Sequence, residues 1–151
     1  MRLSSFSDYS LRVLMYLGVH AGRLATIGEI AEAYDISANH LTKVVNHLGR
    51  LVYIETVRGK GGGIRLARPA GEIHLGELIR QTENDWALVE CFVTGGNCRI
   101  LPVCRLPAIL DEALAAMFAV LDRYTLDDLL HHPAELGRMI PLREAGLRPV
   151  A

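Results

Sequence analysis

Three cysteines lie within a stretch of fourteen residues, and their thiols are the side chains of this chain best suited to chemistry. Six residues separate Cys91 from Cys98, and five separate Cys98 from Cys104. An odd number of closely spaced thiols favours metal binding over a framework of disulfides. Thiolates on a glycine-containing loop are predicted to hold a metal ion or an iron–sulfur cluster, with the last coordination position filled from elsewhere.

The spacing of the three thiols favours a cluster over structural zinc. Zinc sites usually use pairs of cysteines separated by two other residues, and this sequence contains no such pair. Cys104 directly precedes a predicted helix, whose positive end stabilises a thiolate. Arg99 and Arg105 flank the second and third cysteines and are predicted to offset the charge of a cluster. The alternative interpretation is that the cysteines are buried and unreactive.

The charge of the chain is unevenly distributed, although its net charge is only −1. From residue 38 to residue 68, six basic side chains stand against a single acid, which gives +5. From residue 72 to residue 135, eleven acids and four arginines give −7. The first segment is therefore predicted to carry an anion-binding surface, with two ordinary solvated faces as the alternative.

The first fifty residues contain three segments with the apolar periodicity of helices. The first begins near Asp8, with Ser7 or Asp8 as its N-cap. The second follows Thr26, which is predicted to form a capping box with Glu29, and the third is capped by Ser37. Two short helices joined by a tight turn, the second of them basic, are typical of a helix-turn-helix.

After these helical segments, the spacing of the apolar residues changes to that of strands. Residues 53–57 and 64–66 read as strands, and the segment RGKGGG between them supplies glycines for a tight turn. No Gly-Lys-Ser/Thr motif follows the glycines, so a nucleotide-binding loop is rejected. The predicted fold class is mainly α with a small β-hairpin wing, namely a winged helix-turn-helix followed by a long dimerisation helix.

Polar side chains at the start of the third helix are candidates for contact with DNA. Short polar side chains there can reach base edges in the major groove, while the helix dipole favours phosphate. Asn39 is the best candidate for reading a base, and Lys43 or His47 for either role. Basic side chains at the wing tip suit phosphate or minor-groove contact. The predicted DNA-binding set is Ser37, Asn39, His40, Lys43, Arg58 and Lys60, with a solvated polar face as the alternative.

Residues 105–124 form a strongly helical segment with an apolar stripe wider than one small domain can cover. Such a helix is predicted to pair with its counterpart in a homodimer, and packing on its own domain is the alternative. A short helix capped by Thr125 follows, and the tail is predicted to be partly disordered. The predicted organisation is a DNA-binding domain at 1–83, a cysteine loop at 84–104, a dimerisation region at 105–131 and the tail at 132–151.

Length and composition place further bounds on function. A chain of 151 residues, half of them hydrophobic, fits one compact domain or a small domain with an oligomerisation element. No apolar run approaches the roughly 20 residues that span a bilayer, and the N-terminus lacks the apolar centre of a signal peptide. We therefore predict no membrane partner and a cytoplasmic location. The six histidines are scattered and no nucleophile–base pair is visible, so an enzyme is not expected.

Four segments together resemble a known family. They are FSDYSLRVLMYL at the start, ISANHLTKVVNHL and VRGKGGGIRLARP in the DNA-binding half, and the cysteine loop followed by Arg105-Leu106. In combination they are similar to the NsrR nitric-oxide-sensing repressors of the Rrf-type iron–sulfur regulators, from Met1 to about Leu130. The resemblance implies a homodimer that binds a palindromic operator in double-stranded DNA and holds one four-iron four-sulfur (4Fe-4S) cluster per subunit.

The resemblance also implies a ligand set. Cys91, Cys98 and Cys104 would hold three irons, and the fourth iron would take an acidic residue from the first helix of the partner subunit. Asp8 is the residue that matches this place, although it also reads as an N-cap. Arg12, one helical turn later, is predicted to pair with Asp8 and to position it.

One departure within the wider family bears on the signal. The related regulators of iron–sulfur biogenesis have a ligand histidine three residues after the last cysteine, where this chain has Pro107. We therefore expect nitric oxide to be the signal and reaction with it to release the operator. A redox- or iron-sensing regulator is the alternative. An electron carrier of the ferredoxin type is less favoured, because a basic wing and a long apolar helix have no role in it.

Overall fold

Helices dominate the described part of the chain, which comprises residues 2–89 and 98–140 of the computed structural model. The elements are α1 (Ser5–Val19), α2 (Ile27–Tyr34), α3 (Ala38–Arg50), β1 (Ile54–Val57), β2 (Gly63–Leu66), α4 (Leu75–Thr82), α5 (Leu106–Leu121), α6 (Leu126–Leu129) and α7 (Pro133–Met139). Short 3-10 turns occur at Ala70–Glu72 and Leu101–Val103. The predicted class, mainly α with one small hairpin, is confirmed.

Helix α1 begins earlier than the sequence predicted. Its N-cap is Ser4, whose hydroxyl accepts a hydrogen bond from the Ser7 N–H at 3.2 Å. The prediction of Ser7 or Asp8 as the N-cap is therefore wrong, because a serine further upstream sets the start of the helix. Asp8 lies in the first turn of α1, and its carboxylate has no capping role.

Helices α2 and α3 form the predicted helix-turn-helix. Thr26 and Glu29 make the predicted reciprocal capping box, and Asp35 ends α2 in a left-handed conformation with φ of 54°. Ser37 occupies the N-cap position of α3, but its side chain makes no capping hydrogen bond among the described residues, which corrects that prediction. The inward face of α3 is buried as expected, with Leu41, Val44, Val45 and Leu48 in the core.

The two strands form an antiparallel hairpin that extends from the helices as a wing. Ile64 also pairs with Ala25 through backbone hydrogen bonds of 2.8 and 3.0 Å, which tie the hairpin to the connection between α1 and α2. Gly59 and Gly61 have φ of 101° and 77°, as predicted for the glycines of the turn. Glycine is required at position 62 for a different reason: a Cβ there would collide with a backbone carbonyl oxygen.

The turn from α3 into β1 is fixed by Val52 and Arg68. Val52 has φ of 60°, a left-handed value that β-branched residues rarely adopt. Arg68 donates hydrogen bonds to the carbonyl oxygens of Leu51 at 3.1 Å and Val52 at 3.2 Å, and its guanidinium lies 4.4 Å from the centroid of the Tyr53 ring. These contacts stabilise the turn that orients the wing relative to α3.

The predicted long helix is present as α5, and it carries two apolar stripes. The first stripe faces its own domain, where Phe118 is buried and Leu110, Leu114, Met117 and Leu121 are partly buried. The second stripe is exposed and has the spacing of one helix face; its residues are Leu106, Ile109, Ala113, Ala116 and Val120. Ile109 is 54% exposed and Val120 45% exposed. A single chain therefore leaves a long apolar surface uncovered.

The carboxyl end of α5 is joined to the DNA-binding half of the chain. The Leu75 N–H donates to the Tyr124 carbonyl oxygen at 3.0 Å, and the Leu126 N–H donates to the Ile73 carbonyl oxygen at 2.8 Å. These bonds form a small bridge that sets the direction in which α5 leaves the domain. Within the described ranges, no helix is long and apolar enough to cross a membrane.

The segment after His132 differs from the prediction. Partial disorder was expected beyond this residue, but Pro133–Met139 form α7, with Pro133 at the start of the helix, where a missing N–H is tolerated. Ile140 is only 7% exposed, and its carbonyl oxygen accepts a hydrogen bond from His20 Nε2 at 3.0 Å. The prediction is wrong for residues 133–140, because they form a helix whose end is held against α1 by the burial of Ile140 and its bond to His20. Residues 141–151 lie outside the described part of the chain.

Candidate nucleic-acid interface and metal-ligand residues

Helix α3 presents its predicted DNA-reading side chains on an open surface. Ser37, Asn39, His40 and Lys43 are all exposed at its amino-terminal end, while the opposite face of the helix is buried in the core. The first N–H groups of a helix carry partial positive charge, which adds to that of Lys43. Amide, imidazole and ammonium groups on such a surface are suited to base edges and phosphates.

Two histidines of α3 have different surroundings. His40 lies against Tyr9 of α1, with ring centroids 6.5 Å apart and planes inclined by 28°. The Nε2 of His47 donates a hydrogen bond to the Gln81 carbonyl oxygen at 3.0 Å, and its ring meets Phe6 edge-on at 5.3 Å. His47 therefore joins α3 to α4 and α1, and its predicted role in DNA contact stays a prediction.

The wing tip carries two exposed cations, Arg58 and Lys60. The turn between the strands is closed by a hydrogen bond from the Gly62 N–H to the Gly59 carbonyl oxygen at 3.0 Å. Neither cation takes part in a salt bridge within the described ranges, whereas Arg65, lower on the hairpin, pairs with an acid of β1. Uncompensated positive charge is therefore concentrated at the tip, where it suits phosphate contact.

A cavity of about 700 Å³ extends the basic surface along α3, and the sequence analysis did not anticipate it. Lys43, Asn46 and Arg50 line it from α3, and Asn84 lines it from the start of the cysteine segment. Lys43 and Arg50 are seven residues apart, so helical spacing alone places them on one face. The sequence could have revealed this surface through that spacing. Arg50 is therefore added to the candidate DNA contacts.

Cys98 and Cys104 flank the 3-10 turn that precedes α5. The Leu101 N–H donates to the Cys98 carbonyl oxygen at 3.2 Å, and the Cys104 N–H donates to the Leu101 carbonyl oxygen at 3.3 Å. Both thiols are free; Cys98 is exposed and Cys104 is partly buried. Cys104 stands immediately before the amino-terminal end of α5, as predicted. Cys91 lies outside the described residues.

Asp8 and Arg12 form the predicted pair on α1. Arg12 Nε donates a hydrogen bond to the Asp8 carboxylate at 3.0 Å, and the two side chains are 42% and 46% exposed respectively. The Arg12 guanidinium lies 5.5 Å from the centroid of the Tyr34 ring. Burial raises the pKa of Tyr34 to about 12, so its hydroxyl stays neutral beside the ion pair. The accessible carboxylate remains able to act as a ligand.

Free thiols and an accessible carboxylate are the donors that an iron–sulfur cluster requires, but the described part of the chain does not bring Asp8, Cys98 and Cys104 together. Within the described ranges, no three metal-binding side chains converge. Free thiols are soft ligands for iron, and the accessible Asp8 carboxylate is a harder oxygen ligand, so the chemistry of the set fits a cluster. Arg99 and Arg105, adjacent to two of the thiols, are exposed and would offset negative charge.

Comparison with known proteins assigns this arrangement to a family. Residues 3–132 match the family model described as "Rrf2: Iron-dependent Transcriptional regulator". The chain belongs to the Rrf2 family. Among its Rrf2 relatives, the HTH-type transcriptional regulator NsrR of Bacillus subtilis (strain 168) is 49% identical over 95% of this chain and 100% of its own length. The regulator of the same name from Oceanobacillus iheyensis is 50% identical over 90% of this chain and 94% of its own length.

Solved structures support the same Rrf2 assignment. The oxidised form of Staphylococcus aureus CymR has a TM-score of 0.70 and 26% identity, and the match covers 87% of this chain and 98% of that chain. T. potens IscR has a TM-score of 0.72 and 23% identity over 90% of each chain, which shows the fold alone. This Rrf2 chain is therefore a winged-helix transcription regulator and not an enzyme.

Proposed function

We propose that this Rrf2 protein is a cytoplasmic DNA-binding repressor that senses nitric oxide through a 4Fe-4S cluster and releases its operator when the cluster reacts. One observation carries the proposal. A chain that is 49% identical to the NsrR regulator of B. subtilis has three closely spaced cysteines, two of which are free thiols on either side of the 3-10 turn that precedes α5. The sensing chemistry is inferred from this donor set.

Four side chains would hold the cluster. Cys91, Cys98 and Cys104 would bind three irons, and Asp8 of the partner subunit would bind the fourth. When bound, the cluster would supply an iron with an oxygen ligand held more weakly than its sulfur ligands, and this iron would be the one open to nitric oxide. Asp8 suits this position because it is 46% exposed and does not cap α1.

Arg12 gives the Asp8 carboxylate an alternative partner. The hydrogen bond of 3.0 Å between them neutralises the carboxylate whenever it is not bound to iron. The guanidinium is itself held against the Tyr34 ring of α2, so the pair connects the first turn of α1 to the helix-turn-helix. Loss of iron ligation would therefore change the restraint on α1 without leaving an unpaired charge.

The exposed stripe of α5 supports a homodimer. Ile109, Ala113 and Val120 lie on this stripe, and the equivalent helix of a second copy would cover them. A two-fold dimer places its recognition helices on half-sites about one helical turn, roughly 34 Å, apart, so the operator is expected to be palindromic. Both half-sites must be occupied for tight binding.

The first turn of α1 connects Asp8 to the DNA-reading surface. Tyr9, the residue after Asp8, stacks on His40 at the exposed end of α3. If Asp8 did not hold the cluster, α1 would not be tied to the partner subunit, and the separation of the two α3 helices would no longer be fixed. A loss of even three phosphate contacts would lower affinity by about two orders of magnitude at physiological salt.

Operator binding by three forms of the protein tests this function. Cluster-bound, cluster-free and nitric-oxide-treated protein are compared by gel shift on a palindromic operator, with Cys104→Ser as a control that cannot assemble the full ligand set. We expect the cluster-bound form to bind at least about tenfold more tightly than the other two. Equal binding by all three forms would remove the sensing function while leaving DNA binding intact.

A redox- or iron-sensing regulator is the second candidate, and the description of the matching family model as iron-dependent favours it. The two functions differ in the order of events. A redox sensor changes its operator affinity when the cluster gains or loses one electron, before any nitric oxide is added. Gel shifts with oxidised and reduced cluster-bound protein separate the two, and the nitric oxide proposal expects them to be equal.

A further inference from the structure

The last turn of α4 holds the carboxyl end of α5. Arg80 donates two hydrogen bonds to the Asp122 carboxylate, at 2.6 and 2.8 Å, and these bonds hold the pKa of Asp122 below its ordinary value. The Arg80 guanidinium also lies 4.0 Å from the centroid of the Phe118 ring, which Trp86 meets edge-on at 4.7 Å. Gly76 allows this approach, because a Cβ there would collide with Asp122.

Gln81, the residue after Arg80, holds the recognition helix α3 and the start of the wing. The backbone carbonyl oxygen of Gln81 accepts a hydrogen bond from His47 of α3 at 3.0 Å. Its side-chain Oε1 accepts a hydrogen bond from the hydroxyl of Tyr53 at 2.7 Å. Tyr53 is fully buried directly before β1, so Gln81 contacts both ends of the connection between α3 and the wing.

Thr82 and Glu83, the next two residues along the chain, hold the start of α1. The Thr82 hydroxyl, which is buried, lies 3.0 Å from the Ser7 hydroxyl. The Glu83 carboxylate accepts hydrogen bonds from the Ser4 N–H at 3.0 Å and the Ser7 hydroxyl at 2.6 Å. Burial alone would raise the pKa of Glu83, but the bonds from Ser7 and Ser4 outweigh it and lower that pKa. The carboxylate is thus ionised at neutral pH and fixes the turn that carries Asp8.

We propose that Arg80–Glu83, the junction segment, carries a change in α5 and the cysteine segment to the recognition helix within one subunit. This inference rests on the proposed function for its biological meaning. Successive side chains of the junction segment bind α5, then α3 and the wing, then α1. Hydrogen bonds are directional, so a rotation of this eight-residue helix cannot preserve all of these contacts at once.

The junction segment is also continuous with the cysteine segment. Trp86, three residues after Glu83, packs on Phe118 of α5, and Cys91 follows five residues later. A displacement of the loop at Trp86 or of α5 at Phe118 therefore reaches α4 directly. This route lies inside one chain, whereas the Asp8 route passes between subunits. Arg80, Gln81 and Glu83 are accordingly positioning residues, and none of them belongs to the proposed ligand set or to the proposed DNA-contact set.

Hydrogen exchange on cluster-free protein tests the junction without any reference to the signal. Asp122→Asn removes one of the two acceptors of Arg80, and Asp128→Asn is the matched control, because Asp128 is an exposed carboxylate that binds Thr125 and does not contact α4. We expect Asp122→Asn to raise amide exchange about threefold or more in the last turn of α3 and around Ser4–Asp8. Asp128→Asn should change exchange only near α6.

Operator affinity provides the second readout. The ratio of dissociation constants between cluster-free and cluster-bound protein should fall about fivefold in Asp122→Asn and remain at the wild-type value in Asp128→Asn. Gln81→Leu, which removes the bond to Tyr53 without touching α5, should lower the ratio in the same way. Iron content should stay equal in all three variants, since none of them replaces a proposed ligand.

The possible results separate the two proposals. If exchange in Asp122→Asn rises only in α4 and α5, the junction does not transmit and this inference is overturned. If exchange rises in α3 and α1 but the wild-type affinity ratio is one, the junction stands and the sensing function fails. If the wild-type ratio is large and neither Asp122→Asn nor Gln81→Leu changes it, the signal reaches α3 by another route and the junction proposal is again overturned.

Discussion

Replacing Ala113 with glutamate is expected to convert the protein into a monomer and to lower operator affinity by about two to four orders of magnitude. Ala113 lies at the centre of the exposed apolar stripe of α5, between Ile109 and Ala116. In a symmetric dimer the introduced carboxylate would be buried opposite its own copy, where like charges without water repel strongly. The mass in solution and the gel shift on full and half operators measure the two effects.

Ala115→Glu is the matched control for this prediction. Ala115 is also an exposed alanine of α5, but it lies on the opposite side of the helix from the stripe. The same substitution there should leave the protein dimeric and its operator affinity within about threefold of wild type. A dimeric Ala113→Glu protein, or equal losses in the two variants, would show that the stripe is not the dimer interface.

Neutralising the wing tip is expected to produce the second large effect. The double variant Arg58→Gln/Lys60→Gln removes two exposed cations from each chain, and four from a dimer. If each cation contacts a phosphate, operator affinity should fall by about three orders of magnitude at 0.15 M salt. The slope of log affinity against log salt should become less steep by about four. Fluorescence anisotropy across a salt series measures both quantities.

A variant with the same change in net charge isolates the effect of position. Arg123→Gln/Arg138→Gln also removes two cations per chain, but from exposed positions near α6 and on α7 that belong to neither α3 nor the wing. We expect its salt slope to match that of the wild type. If both double variants lower affinity equally, the wing contributes only general charge, and its proposed contact with DNA is wrong.

The helix-turn-helix and the wing were predictable because their signals are local. Thr26 and Glu29 are three residues apart and form a capping box by themselves. The glycines of the wing turn themselves adopt the positive φ angles that glycine permits. The length of α5 follows from an apolar pattern that continues for sixteen residues. Each of these features depends on residues within one or two turns of each other.

The features that were missed depend on distant contacts. Ser4 starts α1 partly because its N–H binds Glu83, which is 79 residues away in the sequence. Helix α7 ends at Met139, and the carbonyl oxygen of the next residue, Ile140, binds His20 across 120 residues. No local pattern reveals either bond, so the N-cap of α1 was misplaced and the tail was expected to be disordered.

The candidate site shows the same division. The pairing of Asp8 with Arg12 was predictable, because residues four apart face each other on a helix. The place of His47 was not, because its partner Gln81 lies on another helix. The junction segment reads in sequence only as the end of an amphipathic helix, since its partners are spread over α1, α3 and α5. The proposed coupling between the cysteine segment and the DNA-reading surface therefore could not be inferred from the sequence alone.

An iron and sulfide count on anaerobically purified protein tests the central claim, that Cys91, Cys98 and Cys104 hold an iron–sulfur cluster. We expect coloured protein with about four irons and four sulfides per chain, a visible absorption that nitric oxide bleaches, and loss of both metal and colour in Cys104→Ser. Colourless, iron-free wild-type protein purified without oxygen would contradict the claim, and the sensing function would fall with it.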